Sequence, residues 1–168
     1  MRKQLLPALR FALIAALSLS LFGCPTGLDF PLTEQPDKID PTLIGDWSAN
    51  TLEAEILEVT VKKKDDYSYS IEVKETSEMY MLDDFKFVGH VTRLDGRTFL
   101  IAKPIESGEE KYYHYHYHFE GGMLVIQDMG LLVGGVDAVT SSEALRKEVS
   151  ASLKNPECLS SRMEYTKN

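Results

Sequence analysis

Seven consecutive residues, Tyr113-His114-Tyr115-His116-Tyr117-His118-Phe119, place three imidazoles at alternate positions. On a strand, successive side chains point to opposite faces, so the histidines share one face and the aromatics the other. Neutral imidazole binds Zn²⁺ or Cu²⁺ at about 2.0 to 2.1 Å, and neighbours at i and i+2 can chelate one ion. His114 and His118 lie about 13 Å apart at about 3.3 Å per residue, too far to share it. A metal site therefore pairs His116 with one neighbour and draws a carboxylate or His90 from an adjacent strand. The competing reading is a solvated strand face, which turns cationic below about pH 6.5.

A second set of residues suits apolar chemistry. Tyr67, Tyr69, Phe85, Phe87, Phe99, Tyr115 and Tyr117 fall in strand-like segments, where they either line a ligand cavity or fill the interior with side chains. No nucleophile elbow, Ser/His/Asp order, paired catalytic carboxylates or cysteine and histidine pairing is apparent, so the chain is not expected to be an enzyme. Acidic residues gather in turns such as Asp65-Asp66 and Glu106 to Glu110.

The elements that must hold these residues are short and rich in β-branched and aromatic side chains, separated by charged or glycine turns. Eight strands are expected: 43–49, 54–62, 66–74, 84–94, 97–103, 111–120, 123–128 and 162–166. Asp95-Gly96 and Gly121-Gly122 are two-residue hairpin signals and make their flanking strands antiparallel. With Gly121-Gly122 as the turn, Phe119 faces Leu124, Tyr117 faces Ile126, His118 faces Val125 and His116 faces Gln127. That register puts the aromatics inside and leaves the histidines exposed. Thr140-Ser141-Ser142-Glu143 fits a capping box, with Leu145, Val149 and Leu153 as the buried stripe of the helix that follows and Asn155-Pro156 as its stop. Residues 130–137 (GLLVGGVD) read as a glycine-rich connection.

The amino-terminal segment has a different composition. Arg2, Lys3 and Arg10 precede an apolar run from Phe11 to Phe22 that covers about 18 Å as a helix, against a hydrocarbon core of about 30 Å. This is a signal peptide pattern rather than a permanent span. Residues 24–42 follow as an extended, proline-rich tether with Pro25, Pro31, Pro36 and Pro41, from which Leu28 and Phe30 can pack back onto the domain. Loss of residues 1–23 leaves 145 residues with 26 acids against 15 basic groups, a formal charge of −11. Such a chain repels phosphate backbones and anionic headgroups, which argues against nucleic acid as a partner. Cys24 and Cys158 are the two cysteines. Cys158 is either a small buried hydrophobe or a thiol open to intermolecular pairing.

Leu21-Phe22-Gly23-Cys24 resembles the lipobox of bacterial lipoproteins, with a small residue before the cleaved bond and cysteine after it. The resemblance implies cleavage between Gly23 and Cys24 and a covalent lipid on Cys24, carrying two or three acyl chains such as palmitate. It also implies attachment to the bacterial cell envelope, and Pro25, in place of a retaining aspartate, implies the outer membrane where one exists. Gly45-Asp46-Trp47 resembles the Gly-x-Trp motif of lipocalins and the wider calycin group. That likeness implies an all-β fold, an eight-stranded antiparallel up-and-down barrel over 43–168 with one helix before the last strand. It also implies that Trp47 packs across the closed end under a basic side chain, for which Arg162 on the last strand is the candidate. A half-barrel or sandwich closed by the helix stays open beside it. The function implied is a binding or interaction module for a small apolar ligand or an envelope protein partner. The alternatives are metal binding through His114, His116 and His118, or a structural or inhibitory protein with a filled barrel.

Overall fold

The computed structural model describes residues 27–50, 56–76, 85–105, 108 and 110–168. Among them, eight strands form one closed antiparallel barrel in simple up-and-down order. They are β1 (Gly45–Asn50), β2 (Ile56–Lys63), β3 (Tyr69–Thr76), β4 (Phe85–Leu94), β5 (Arg97–Pro104), β6 (Tyr113–Glu120), β7 (Met123–Met129) and β8 (Leu159–Lys167). One α-helix, α1 (Ser142–Ser152), precedes β8. The layout is lipocalin-like, and the half-barrel and sandwich alternatives fall. No helix among the described residues is long and apolar enough to cross a membrane.

The two tight hairpins form where the turn chemistry demands them. Asp95 and Gly96 have φ of 51° and 75°, and Gly121 and Gly122 have φ of 59° and 85°, the paired positive values that let a two-residue turn follow the strand twist. The β6–β7 register is the expected one, with Phe119 opposite Leu124 and His116 opposite Gln127. The charged turn after β2 is longer than expected. Asp65 accepts hydrogen bonds from the Tyr67 amide (2.8 Å) and the Ser68 hydroxyl (2.6 Å), which holds Asp66, Tyr67 and Ser68 out of β3. Helix α1 starts one residue later than the capping box suggested. Ser141, not Thr140, caps it by accepting from the Ala144 amide at 3.1 Å, and Glu143 falls in the first turn, where its charge suits the helix dipole.

Buried apolar side chains among the described residues form two clusters. The first fills the barrel: Trp47, Val61, Tyr69, Ile71, Val91, Leu100, Tyr117, Leu124 and Tyr165, with Leu43 plugging one end. The second lies on the outside of the barrel wall, where Leu145 and Val149 of α1 and Leu28 and Leu32 of the amino-terminal segment cover Phe99 and Ile101 of β5. β5 is apolar on both faces, as a strand covered on both sides should be.

The amino-terminal stretch is therefore a strap from Leu28 onward, not a free spacer. Leu28 pairs with Tyr112 beside the start of β6, Asp37 pairs with Val91 near the far end of β4, and Asp37 Oδ2 accepts from the Arg93 amide at 3.0 Å. It runs the height of the barrel and ends in a 3-10 turn, Pro41–Leu43, that leads into β1. Leu32 is fully buried in the outer cluster. Leu32→Ala should lower unfolding free energy by about 2–5 kcal/mol, the range for emptying a well-packed leucine site. Urea denaturation followed by Trp47 fluorescence checks this, and a loss under about 1 kcal/mol would mean that the strap is only loosely held.

Candidate functional site

One end of the barrel is closed by its own residues. Trp47 Nε1 donates to the Leu43 carbonyl (2.9 Å), and the Trp47 ring lies 6.0 Å from Phe119. Lys167 Nζ sits 5.1 Å from the Trp47 ring centroid and donates to the Ile44 carbonyl at 2.9 Å. The basic side chain over the tryptophan is thus Lys167, not Arg162. Arg162 has the opposite parity on β8 and pairs outside with Glu120 (2.6 Å) and Glu164 (2.9 Å). Gly45 has φ of 147° and a Cβ there would stand 2.6 Å from Lys167 Cε, so the glycine is what admits this lysine.

Asp40, at the end of the strap, completes the floor. Its backbone amide donates to the Tyr69 hydroxyl (2.5 Å), and its carboxylate accepts from the Tyr117 hydroxyl (3.2 Å) and from the Thr42 amide (3.0 Å). Burial pushes Tyr69 up to about 12 and Tyr117 further up, so both stay neutral donors.

Above this floor the inner face is packed to the level of Gly89, where a Cβ would meet Ile71 Cδ1 at 2.5 Å. Toward the other end, inward side chains keep solvent contact: Leu57, Val59, Val73, Phe87, Tyr115, Ile126 and Met163 are only part-buried although they pack on the inner cluster. A side chain inside a closed wall is accessible only if space lies beside it. This part-exposed half, toward Pro104, Tyr113 and Met129, is the barrel's cup.

The anticipated ligand-lining residues separate accordingly. Phe87 and Tyr115 line the cup, while Tyr69 and Tyr117 belong to the floor. Phe85 stands exposed at the strand end, and Tyr67 is exposed in the turn before β3. Phe99 is on the outer wall, buried under α1, because it alternates with inward Leu100. The cup also holds two groups that the sequence reading passed over, Asp128 and Met163, and buried Tyr165 packs against Met163 from the filled part of the barrel. The signal for Asp128 was its parity with Leu124 and Ile126 on β7. Gly23 and Cys24 lie outside the described residues.

The histidines do lie on the outer face, but His114 and His116 are buried, contrary to the expectation of exposure. They sit beside Ile101 and Phe99 in register, under the outer layer that α1 and the strap provide. Alternation fixes the side of a strand, not what covers it. His116 stacks edge-on against Phe99 at 5.7 Å, and only His118 reaches a charge, Glu120 at 3.7 Å. Neither ring nitrogen of His114 has a hydrogen-bonding partner of ordinary geometry. His90 is two strands away, roughly 10 Å at the usual strand spacing, with its Nδ1 at 3.0 Å from the Tyr67 carbonyl oxygen. Among the described residues no three His, Cys, Asp or Glu side chains are disposed to hold one ion. Cys158 is buried in the outer cluster, where burial pushes its thiol up.

Comparison with family models, with characterised proteins and with solved structures gave no match.

Burial lowers His114 to about 4 and also lowers His116. In the unfolded chain an imidazole titrates near 6.5, so the unfolded state gains protons first as pH falls. Stability is full above about 6.5 and drains toward about 4, by on the order of 3 kcal/mol for His114. His114→Leu keeps an apolar fit, removes two unpartnered nitrogens and should be at least as stable at pH 7. Its unfolding free energy, measured in urea from pH 8 to 4, should fall less than that of the parent. Parallel curves would refute the assignment.

Proposed function

We propose that this chain is a lipid-anchored lipoprotein of the bacterial envelope whose barrel holds one small, mainly apolar ligand in the cup. The observation that carries the binding role is the divided interior. A packed floor with an accessible apolar upper half is the form of a site, whereas a purely structural barrel gains by filling both halves. The lipobox resemblance at Leu21 to Cys24 supports the anchor, and two or three acyl chains hold stably where one does not.

Anchor and cup are close in the chain. Leu28 is fixed beside Tyr112 at the cup end, four residues after Cys24, and four residues reach at most about 14 Å. In this reading the acylated cysteine keeps the cup near the bilayer surface, where sparingly soluble ligands are concentrated.

Two measurements test the two halves of the proposal. The protein should enter the detergent phase on Triton X-114 partition with a mass showing residues 1–23 removed and Cys24 acylated, and Cys24→Ala should move it to the aqueous phase. An unmodified Cys24 in the native product would end the anchoring reading. For the cup, the neutral dye N-phenyl-1-naphthylamine should bind with enhanced fluorescence. Val59→Trp, which places an indole in the cup opposite Val73, should weaken binding at least tenfold with the fold intact by circular dichroism. Undiminished dye binding in that variant would place the site elsewhere.

A further inference from the structure

The cup is apolar except at one place. Asp128 follows Leu124 and Ile126 on the inner face of β7, directly opposite Tyr115 of β6. On its other side the β7–β8 pairing is irregular: Ile126 faces Met163 and Asp128 faces Ser160, so β8 bulges, with Ser161 at φ 50°. The bulge brings the Ser161 hydroxyl to the Asp128 carboxylate, and no lysine, arginine or histidine pairs with Asp128 among the described residues. Burial raises its affinity for a proton; burial likewise pushes Tyr165 up to about 12 and Tyr115 further up, and the Asp128 charge adds to both. The carboxylate and the two tyrosines therefore share one low-dielectric space. Met163 adjoins them, with its sulfur 3.8 Å from the Tyr165 hydroxyl.

A part-buried carboxylate with a single hydroxyl partner is an incomplete arrangement. Elsewhere in the barrel the same chemistry is completed by protein groups, since Asp40 takes donors from both Thr42 and Tyr117. Around Asp128 the neighbouring surfaces are tyrosine rings and a thioether, which attract a cation through their electron-rich faces without hydrogen-bonding it.

We infer that the cup selects an amphiphile with a cationic amine or ammonium head, which Asp128 pairs against the rings of Tyr115 and Tyr165 while its apolar chain lies along Val59, Val73 and Phe87. The inference rests on the cup reading above and names the ligand class for that site.

The full chain, purified and held in nanodiscs of zwitterionic lipid, is titrated calorimetrically with octyltrimethylammonium, octanol and octyl sulfate, with empty discs subtracted. The ammonium should bind at least tenfold more tightly than octanol, and the sulfate more weakly than either. Asp128→Asn should remove the ammonium preference while leaving octanol within twofold, and Asp128→Glu should retain it. Equal binding of ammonium and sulfate by the parent protein overturns the inference even if Asp128→Asn fails to fold. An undiminished ammonium preference in Asp128→Asn overturns it too. In both cases binding of octanol above the disc background leaves the cup itself standing. Binding of none of the three removes the cup reading and this inference with it.

Discussion

The barrel depends on a narrow seam. β4 and β5 pair over eight residues, but β1 and β8 pair at only Trp47 with Lys167 and Ser48 with Thr166. Closing a sheet there abolishes both edges, which would otherwise expose unpaired amides and carbonyls. Two backbone pairs alone are a thin closure for strands some 120 residues apart, because the loop entropy must be overcome first. Side chains reinforce the seam: Lys167 spans from the Trp47 ring to the Ile44 carbonyl, Ser48 donates to Asn168 at 2.8 Å, and the Asn168 amide donates to Asp46. The floor of the barrel and the join of its two ends are thus one structure, and Gly45 is the residue that lets it form.

Local signals carried the strand order and the register. Asp95-Gly96 and Gly121-Gly122 specify their turns by backbone conformation, and period-two alternation then assigns sides. Side is not burial, however. His114 and His116 took the outer face as alternation requires, yet the cover over them comes from α1 and from Leu28 and Leu32, far away in the chain. The clue was present in β5, where outward Phe99 and Ile101 alternate with inward Leu100 and Ala102. A strand apolar on both faces needs a second layer, and Leu145 and Val149 offered a helical stripe with no other place to go. Tyr67 was misplaced for a different reason, since Asp65 captures local donors and delays the strand. Lys167 replaced Arg162 because parity on β8 turns Arg162 outward.

The interior divides along the same logic. Tyrosines bring bulk with a hydroxyl that must find a partner when buried. At the floor, Asp40 serves Tyr69 and Tyr117 from the strap, which makes the strap part of the core rather than a decoration on it. At the other end, among the described residues, no strap side chain enters, the apolar side chains stay part-buried, and Asp128 has one hydroxyl partner. Filling that space with larger aliphatics would add favourable burial at about 25 cal/mol per Å² and remove a charged group from a poorly solvating site. A domain that keeps an accessible cup and an incompletely paired carboxylate there forgoes stability, and binding is the physical use to which such a space is suited.

The strap also links the barrel's two ends. Leu28 is pinned beside Tyr112 near the cup, whereas Asp40 is pinned under Tyr69 and Tyr117 at the floor, so the segment between them cannot slide without breaking both. Buried His114 and His116 lie under this outer layer, and their charging in acid opposes it. Acid therefore acts first on this outer layer and only afterwards on the barrel itself, because the inner cluster contains no histidine among its buried residues.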